Sequence, residues 1–172
     1  MDDFVAIADV VKAVGLKGEV KLYPLLDFHE PLLDSGYLVW EDGTPCDLVG
    51  HRQAGSCVAA LPTDCRDRNR ADAMVGRSVG FRRGDYLAED FPRPDGGLAF
   101  RYLDRPVVTT GGDPVGTVSE VRRAGGQMLL VVDMENGQAL IPAVEPILRA
   151  SVGLEGDLVV DPPEGLLDVN TG

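Results

Sequence analysis

Residues that can ligate a metal cluster between positions 46 and 65: Cys46, His51, Cys57 and Cys65. Zinc sites of that composition are built on closely spaced CxxC or HxxxH pairs, which fix the ligand geometry, and neither spacing occurs here. Three cysteines without it read as buried free thiols. Gly15-Leu16-Lys17-Gly18-Glu19 has the glycines of a phosphate-cradling loop. It leads into Glu19-Val20-Lys21-Leu22-Tyr23, an alternating strand, so no helix N-terminus follows to hold an anion. Gly111-Gly112-Asp113-Pro114-Val115-Gly116 likewise lacks the strand-to-helix setting of a dinucleotide loop. GxSxG, Walker A and HExxH motifs are absent, and adjacent acids such as Glu41-Asp42 and Glu89-Asp90 are what an acidic chain produces by chance. The expectation is a protein with no catalytic residue, no metal and no cofactor, one that acts by binding.

The 172 residues carry 28 acidic against 16 basic side chains, a net charge of −12. Residues 1 to 90 hold 10 basic and 16 acidic groups, and residues 91 to 172 hold 6 and 12, so each half sums to −6. Nucleic-acid readers need a basic face against phosphate, and this count shows none. Charged partners should be basic, and binding to naked RNA weak. No apolar run approaches the ~20 residues of a membrane span. The start, Met1-Asp2-Asp3-Phe4, has neither the basic region nor the apolar stretch of a signal peptide. These features read as a cytoplasmic protein with no membrane association.

The elements that must position any binding surface are short. Gly (21) and Pro (12) are abundant and aromatics make up only 6%, a composition of many tight turns. Strands are expected at 4 to 11, 19 to 23, 36 to 41, 45 to 52, 55 to 61 and 78 to 83, a density that favours a small barrel. One helix is expected near 64 to 75: Thr63 or Asp64 caps it, Arg66 to Val75 contains no Gly or Pro, and Gly76 follows as a left-handed stop. Arg66, Arg68 and Arg70 alternate there with Asp64, Asp67 and Asp72, which reads as a self-paired solvated face. Residues 89 to 97 are rich in Pro and Gly and read as a linker between a unit at 1 to 88 and a second at 98 to 172. Past it, Val107-Val108, Val115 to Val121, Met128 to Val132, Gln138 to Pro142 and Asp157 to Asp161 are strands of a second barrel. Asn136-Gly137 is expected to form a type I′ turn with both residues at positive φ.

Three segments together resemble the ribosome maturation factor RimM family. Val11-Lys12-Ala13-Val14-Gly15-Leu16-Lys17-Gly18-Glu19-Val20-Lys21 is similar to its HGLKGEV signature, with Val14 where histidine is usual. Asp67 to Gly76 is similar to its DRxxAExLxG helix. Leu140-Ile141-Pro142-Ala143-Val144 and Val159 to Leu167 resemble its LIPFV and VDPPEGLL endings. The resemblance implies an all-β protein of two small barrels, the first like the second domain of translation elongation factors and the second a PRC barrel. It implies a non-catalytic, monomeric assembly factor that binds the immature 30S subunit through small-subunit ribosomal protein number nineteen and promotes 16S rRNA maturation. The acidic charge suits a basic ribosomal partner. An RNA-processing enzyme is disfavoured because no metal cluster or general base for phosphoryl transfer is visible. A stand-alone PRC-barrel adaptor is disfavoured by the GLKGE segment and the full N-terminal barrel.

The family often carries a Tyr-Tyr-Trp-His-Asp run, associated with 30S binding, at the entrance to the second barrel. Here Leu98-Ala99-Phe100-Arg101-Tyr102 stands in its place. The expected partner surface therefore combines Phe100, Tyr102, Met128, Leu140 and Pro142, only some facing outward, with Glu120, Glu135 and Glu145 as steering charges. Gly15, Leu16, Lys17 and Gly18 form a second candidate contact.

Overall fold

In segments such as Glu19–Pro24 and Gly137–Pro142, buried and more exposed residues alternate with the period of two that a half-buried strand needs. In the computed structural model, which describes residues 3–94, 97–149, 153–163, 165 and 167, that pattern becomes two β-sheets. Asp95 and Gly96 of the expected linker, and Glu164, Leu166, Asp168 and Val169 of the tail, lie outside the described residues. The chain divides into two units, Met1–Pro92 and Arg93–Gly172.

The first unit holds β1 (Phe4–Val14), β2 (Glu19–Pro24), β3 (Val39–Trp40), β4 (Leu48–Ala54), β5 (Cys57–Pro62) and β6 (Ser78–Arg82). They form one sheet in the order β3-β6-β1-β2-β5-β4, each described pair antiparallel. Its two edges curl toward each other. The Trp40 N–H donates to the Thr44 carbonyl (2.8 Å) and the Cys46 N–H to the Leu38 carbonyl (3.0 Å), so the segment that enters β4 also pairs beside β3. Inside lie Ile7, Val10, Val20, Leu22, Val58, Ala60 and Val79. At one end Phe81, Tyr86 and Phe91 pack ring against ring, with centroids 4.9 to 6.5 Å apart. Phe91 is thus core, and the Tyr37 hydroxyl donates to the Asp90 carboxylate. Residues 89 to 91 of the expected linker are therefore anchored to the first unit, because an aromatic ring there finds apolar cover.

Among the described residues two α-helices and a 3-10 turn (Arg83–Leu87) accompany this sheet: a one-turn α1 (Glu30–Leu33), which the sequence pattern did not suggest, and α2 (Arg68–Met74). The cap of α2 is Asp67, not Thr63 or Asp64. Its carboxylate accepts from the Arg70 N–H at 2.8 Å, while residues 62 to 65 are taken up by a turn in which the Cys65 N–H donates to the Pro62 carbonyl. Such a cap contributes roughly 1 kcal/mol.

Cys46 and Cys65 are buried and Cys57 half-buried, all as free thiols. His51 pairs instead with Asp34, at 2.6 Å. Burial, reinforced by Asp64 and Asp47, pushes the Cys46 thiol up to about 12 from 9.0. A raised native pKa stabilises the fold below the unfolded value, and that contribution is lost as pH climbs through the folded one. Stability should therefore fall between about pH 9 and 12, at up to roughly 1.4 kcal/mol per pH unit from this group. Urea unfolding at pH 8 and pH 10.5 tests it: Cys46→Ala should lose less stability across that interval than the parent chain, and an equal loss in both would refute the assignment.

The second unit holds β7 (Pro106–Thr109), β8 (Pro114–Ala124), β9 (Gln127–Met134), β10 (Gly137–Pro142) and β11 (Leu158–Val160), in the order β10-β9-β8-β7-β11. β11 runs parallel to β7, and the other described pairs are antiparallel. The chain after β10 returns to β11: the Arg149 N–H donates to the Val159 carbonyl (2.9 Å) and the Asp161 N–H to the Ile147 carbonyl (2.7 Å). This adds a short pairing on the outer side of β11 and leaves β10 as the other edge of the sheet. Its core contains Tyr102, Val107, Val118, Met128, Leu130, Val132, Ile141 and Leu158. Arg105, only 5% exposed, donates to the carbonyls of Arg101, Gly153, Glu155 and Gly156 at 3.0 to 3.3 Å, tying the loop before β11 to the turn before β7.

Asn136-Gly137 does separate two strands, but not as a type I′ turn. Met134 pairs with Gly137, so Glu135 and Asn136 are the central residues, and Asn136 is not at positive φ. The double-positive turn lies at Gly125 (φ +60) and Gly126 (φ +79), between the paired Ala124 and Gln127.

Candidate functional site

In the first unit the segments at 11 to 21 and 67 to 76 come together. Val14 pairs with Glu19, leaving Gly15 to Gly18 as a four-residue loop. The Arg68 guanidinium donates to the Gly15 carbonyl at 3.1 Å and lies 3.5 Å from Asp72. Gly18 is buried, with its α-carbon against the Cys65 backbone. Gly15, Leu16 and Lys17 are exposed, Leu16 at 82%.

Beside this loop lies an open groove of about 620 Å³, whose lining includes Lys12, Lys21, Arg52, Ala59, Arg68 and Asp72. The ladder explains the concentration of cations. Lys12 pairs with Lys21, Lys21 with Ala59, and Ala59 with Arg52, so one row crosses β1, β2, β5 and β4. Directly opposed residues share a sheet face, which puts three cations on the same side of the first sheet. The next row, Ala13, Val20, Ala60 and His51, faces the other way, and its first three members are buried. Arg52 lies 3.3 Å from Glu19. Hairpin symmetry about the loop already opposes Lys12 to Lys21 in the sequence, but Arg52 joins them only through the β2–β5 register.

The second unit treats the expected partner surface unevenly. Tyr102 and Met128 do not face outward: both are buried in the core cluster with Val118, Leu130 and Ile141, where their large apolar side chains are removed from water. Phe100, on a 3-10 turn (Ala99–Arg101), is half-buried, as are Leu140 and Pro142. Glu135 and Glu145 are exposed. Glu120 is engaged by Arg122, which donates to both carboxylate oxygens at 2.9 and 3.1 Å and holds that carboxyl below its usual range. The structure adds a pocket of about 390 Å³ that sequence reasoning did not find, lined by Pro114, Val115, Met134 and Leu167, with Asp113 and Glu135 among its polar members. Its parts come from two turns and the tail, which no local pattern joins.

Among the described residues, no group of three or more His, Cys, Asp or Glu could hold a metal, and no helix is long and apolar enough to cross a membrane. Two β-units in this order, a hairpin-loop barrel followed by a smaller barrel rich in apolar strands, define a two-domain all-β protein. Its residues 5–85 match the RimM N-terminal domain and residues 103–166 the RimM PRC barrel domain. Ribosome maturation factor RimM of Alkalilimnicola ehrlichii is 33% identical over 149 residues, covering 83% of this chain and 84% of that protein. The protein of the same name from Synechococcus sp. (strain WH7803) is 32% identical, with 98% of each chain covered. That of Syntrophobacter fumaroxidans is 29% identical, covering 95% of this chain and 94% of the relative. The chain belongs to the ribosome maturation factor RimM family.

Proposed function

We propose that this protein is a non-catalytic, monomeric, cytoplasmic assembly factor that binds the immature 30S subunit through small-subunit ribosomal protein number nineteen and promotes 16S rRNA maturation. Family membership supplies the ribosomal setting. The observation that carries the docking site is the pocket in the second unit, where Pro114, Val115, Met134 and Leu167 give apolar area beside the carboxylates of Asp113 and Glu135. A basic protein partner is the complement of that surface: apolar anchors slow its departure, and acidic side chains speed its arrival. Phe100, Leu140 and Pro142, half-buried apolar side chains of the same unit, are further candidates for the contact.

Binding kinetics against the purified ribosomal protein test this reading. Met134→Ala should weaken the complex by roughly 1 to 3 kcal/mol, mainly through faster dissociation. Paired reversal, Asp113→Lys with Glu135→Lys, should slow association by up to about tenfold at low salt and leave dissociation nearly unchanged. Unaltered kinetics in both variants would remove the second unit from the interface. Cleavage of precursor rRNA by the purified protein with divalent metal would overturn the non-catalytic assignment.

A further inference from the structure

The groove of the first unit carries an arrangement that the fold alone does not call for. Lys12, Lys17 and Lys21 are the only lysines in a chain whose other 13 basic residues are arginines, and all three fall within one hairpin. Lys12 and Lys21 stand directly opposite each other in the ladder. Like charges so placed destabilise a sheet, and among the described residues neither has a carboxylate within ion-pairing distance. Arg52 continues the row and Arg68 lines the same space. Against these four cations stand Asp72 in the lining and Glu19 beside Arg52, a local excess of about two positive charges in a protein of net −12. From Lys12 to Arg52 is three strand steps, about 14 Å at the usual strand spacing, long enough to meet more than one phosphate.

We propose that this row, Lys12, Lys21 and Arg52 with Arg68, is a phosphate-binding groove that takes the backbone of ribosomal RNA. The RNA assignment rests on the ribosomal setting proposed above, but not on the docking pocket of the second unit. Three features favour a nucleic-acid backbone over an acidic peptide. Lys12, Lys21 and Arg52 are spaced along a line rather than gathered about one point, the described lining contains no aromatic or long apolar side chain to anchor a peptide, and its apolar members are only valines and alanines, which leaves the charges to do the holding. The acids elsewhere on the protein do not cancel it, because at physiological salt fields are screened beyond roughly 8 Å. The contact is sequence-independent and weak alone, since only a few phosphates are neutralised.

Fluorescence anisotropy of the full chain with a naked fragment of 16S rRNA, from low salt to about 0.2 M, tests it. Each phosphate contact contributes roughly 0.7 to 0.9 to the slope of log affinity against log salt, so a slope of about −2 to −3 is expected. Lys12→Gln with Lys21→Gln should lower affinity at low salt about tenfold and reduce the slope by about 1.5, while Lys12→Arg with Lys21→Arg retains both. Arg122→Gln with Arg123→Gln in the second unit should change little. Identical affinity and slope for the glutamine pair and the parent overturn the proposal, as does polyglutamate competing as well as RNA of equal charge. Binding of the same variants to the isolated ribosomal protein separates this result from failure of the docking pocket, because the glutamine pair should leave that complex intact.

Discussion

Tyr102→Ala should cost the second unit roughly 3 to 5 kcal/mol of stability, the usual toll of truncating a large aromatic in a core. The side chain is 4% exposed and packs within the cluster that includes Val107, Val118, Met128 and Leu158. In a unit of this size that loss lowers its melting transition by well over 10 °C. Leu140→Ala, at a half-buried site on the edge strand β10, should cost distinctly less. Thermal melting of both variants, with binding to the ribosomal protein measured below their transitions, separates packing from contact. A native melting temperature with lost binding for Tyr102→Ala would return that ring to the interface.

Gly18→Ala is expected to cost the first unit a comparable 3 to 5 kcal/mol, by a different mechanism. Gly18 sits at φ +101, a region L side chains avoid, and an added Cβ would lie 2.4 Å from the Cys65 carbonyl oxygen. Neither backbone can yield cheaply, so strain and overpacking add. Gly15→Ala is the internal comparison: its φ is +67, but an added Cβ meets nothing within 4 Å, and the cost should stay near 1 kcal/mol. Equal destabilisation of the two would show that the contact with Cys65 does not matter. Because Gly18 holds the loop against the approach to α2, its variant should also weaken the RNA contact of the groove, whereas Gly15→Ala should largely preserve it.

The strands were legible because their periodicity is local: Val20 and Leu22 point in while Lys21 and Tyr23 point out, whatever else the chain does. The helix at 68 to 74 was legible in type but not in its start, since Thr63, Asp64 and Asp67 are all competent caps and only the turn at 62 to 65 selects the last. The Asn-Gly turn misled for a related reason. Asn136-Gly137 suits a type I′ turn, yet the register that buries Ala139 and Ile141 moves the turn one residue back, and the packing of a whole strand outweighs one dipeptide's preference.

Taken alone, the amino-acid sequence determined that this protein is all-β, that it divides into two units, and which family its ordered motifs resemble. All of these depend on neighbours in the chain. Only the tertiary structure decided which side chains meet across it. Counting charges by halves showed nothing but acid, yet strand pairing gathers Lys12, Lys21 and Arg52 into one row, and Arg68 joins them from a helix. The same pairing withdraws Tyr102 and Met128 into a core and exposes a pocket whose walls are more than fifty residues apart in sequence. Composition is a sum over the chain, and a surface is a selection from it made by register; with a side-chain period of two, a shift of one residue would have turned the cations of that row inward.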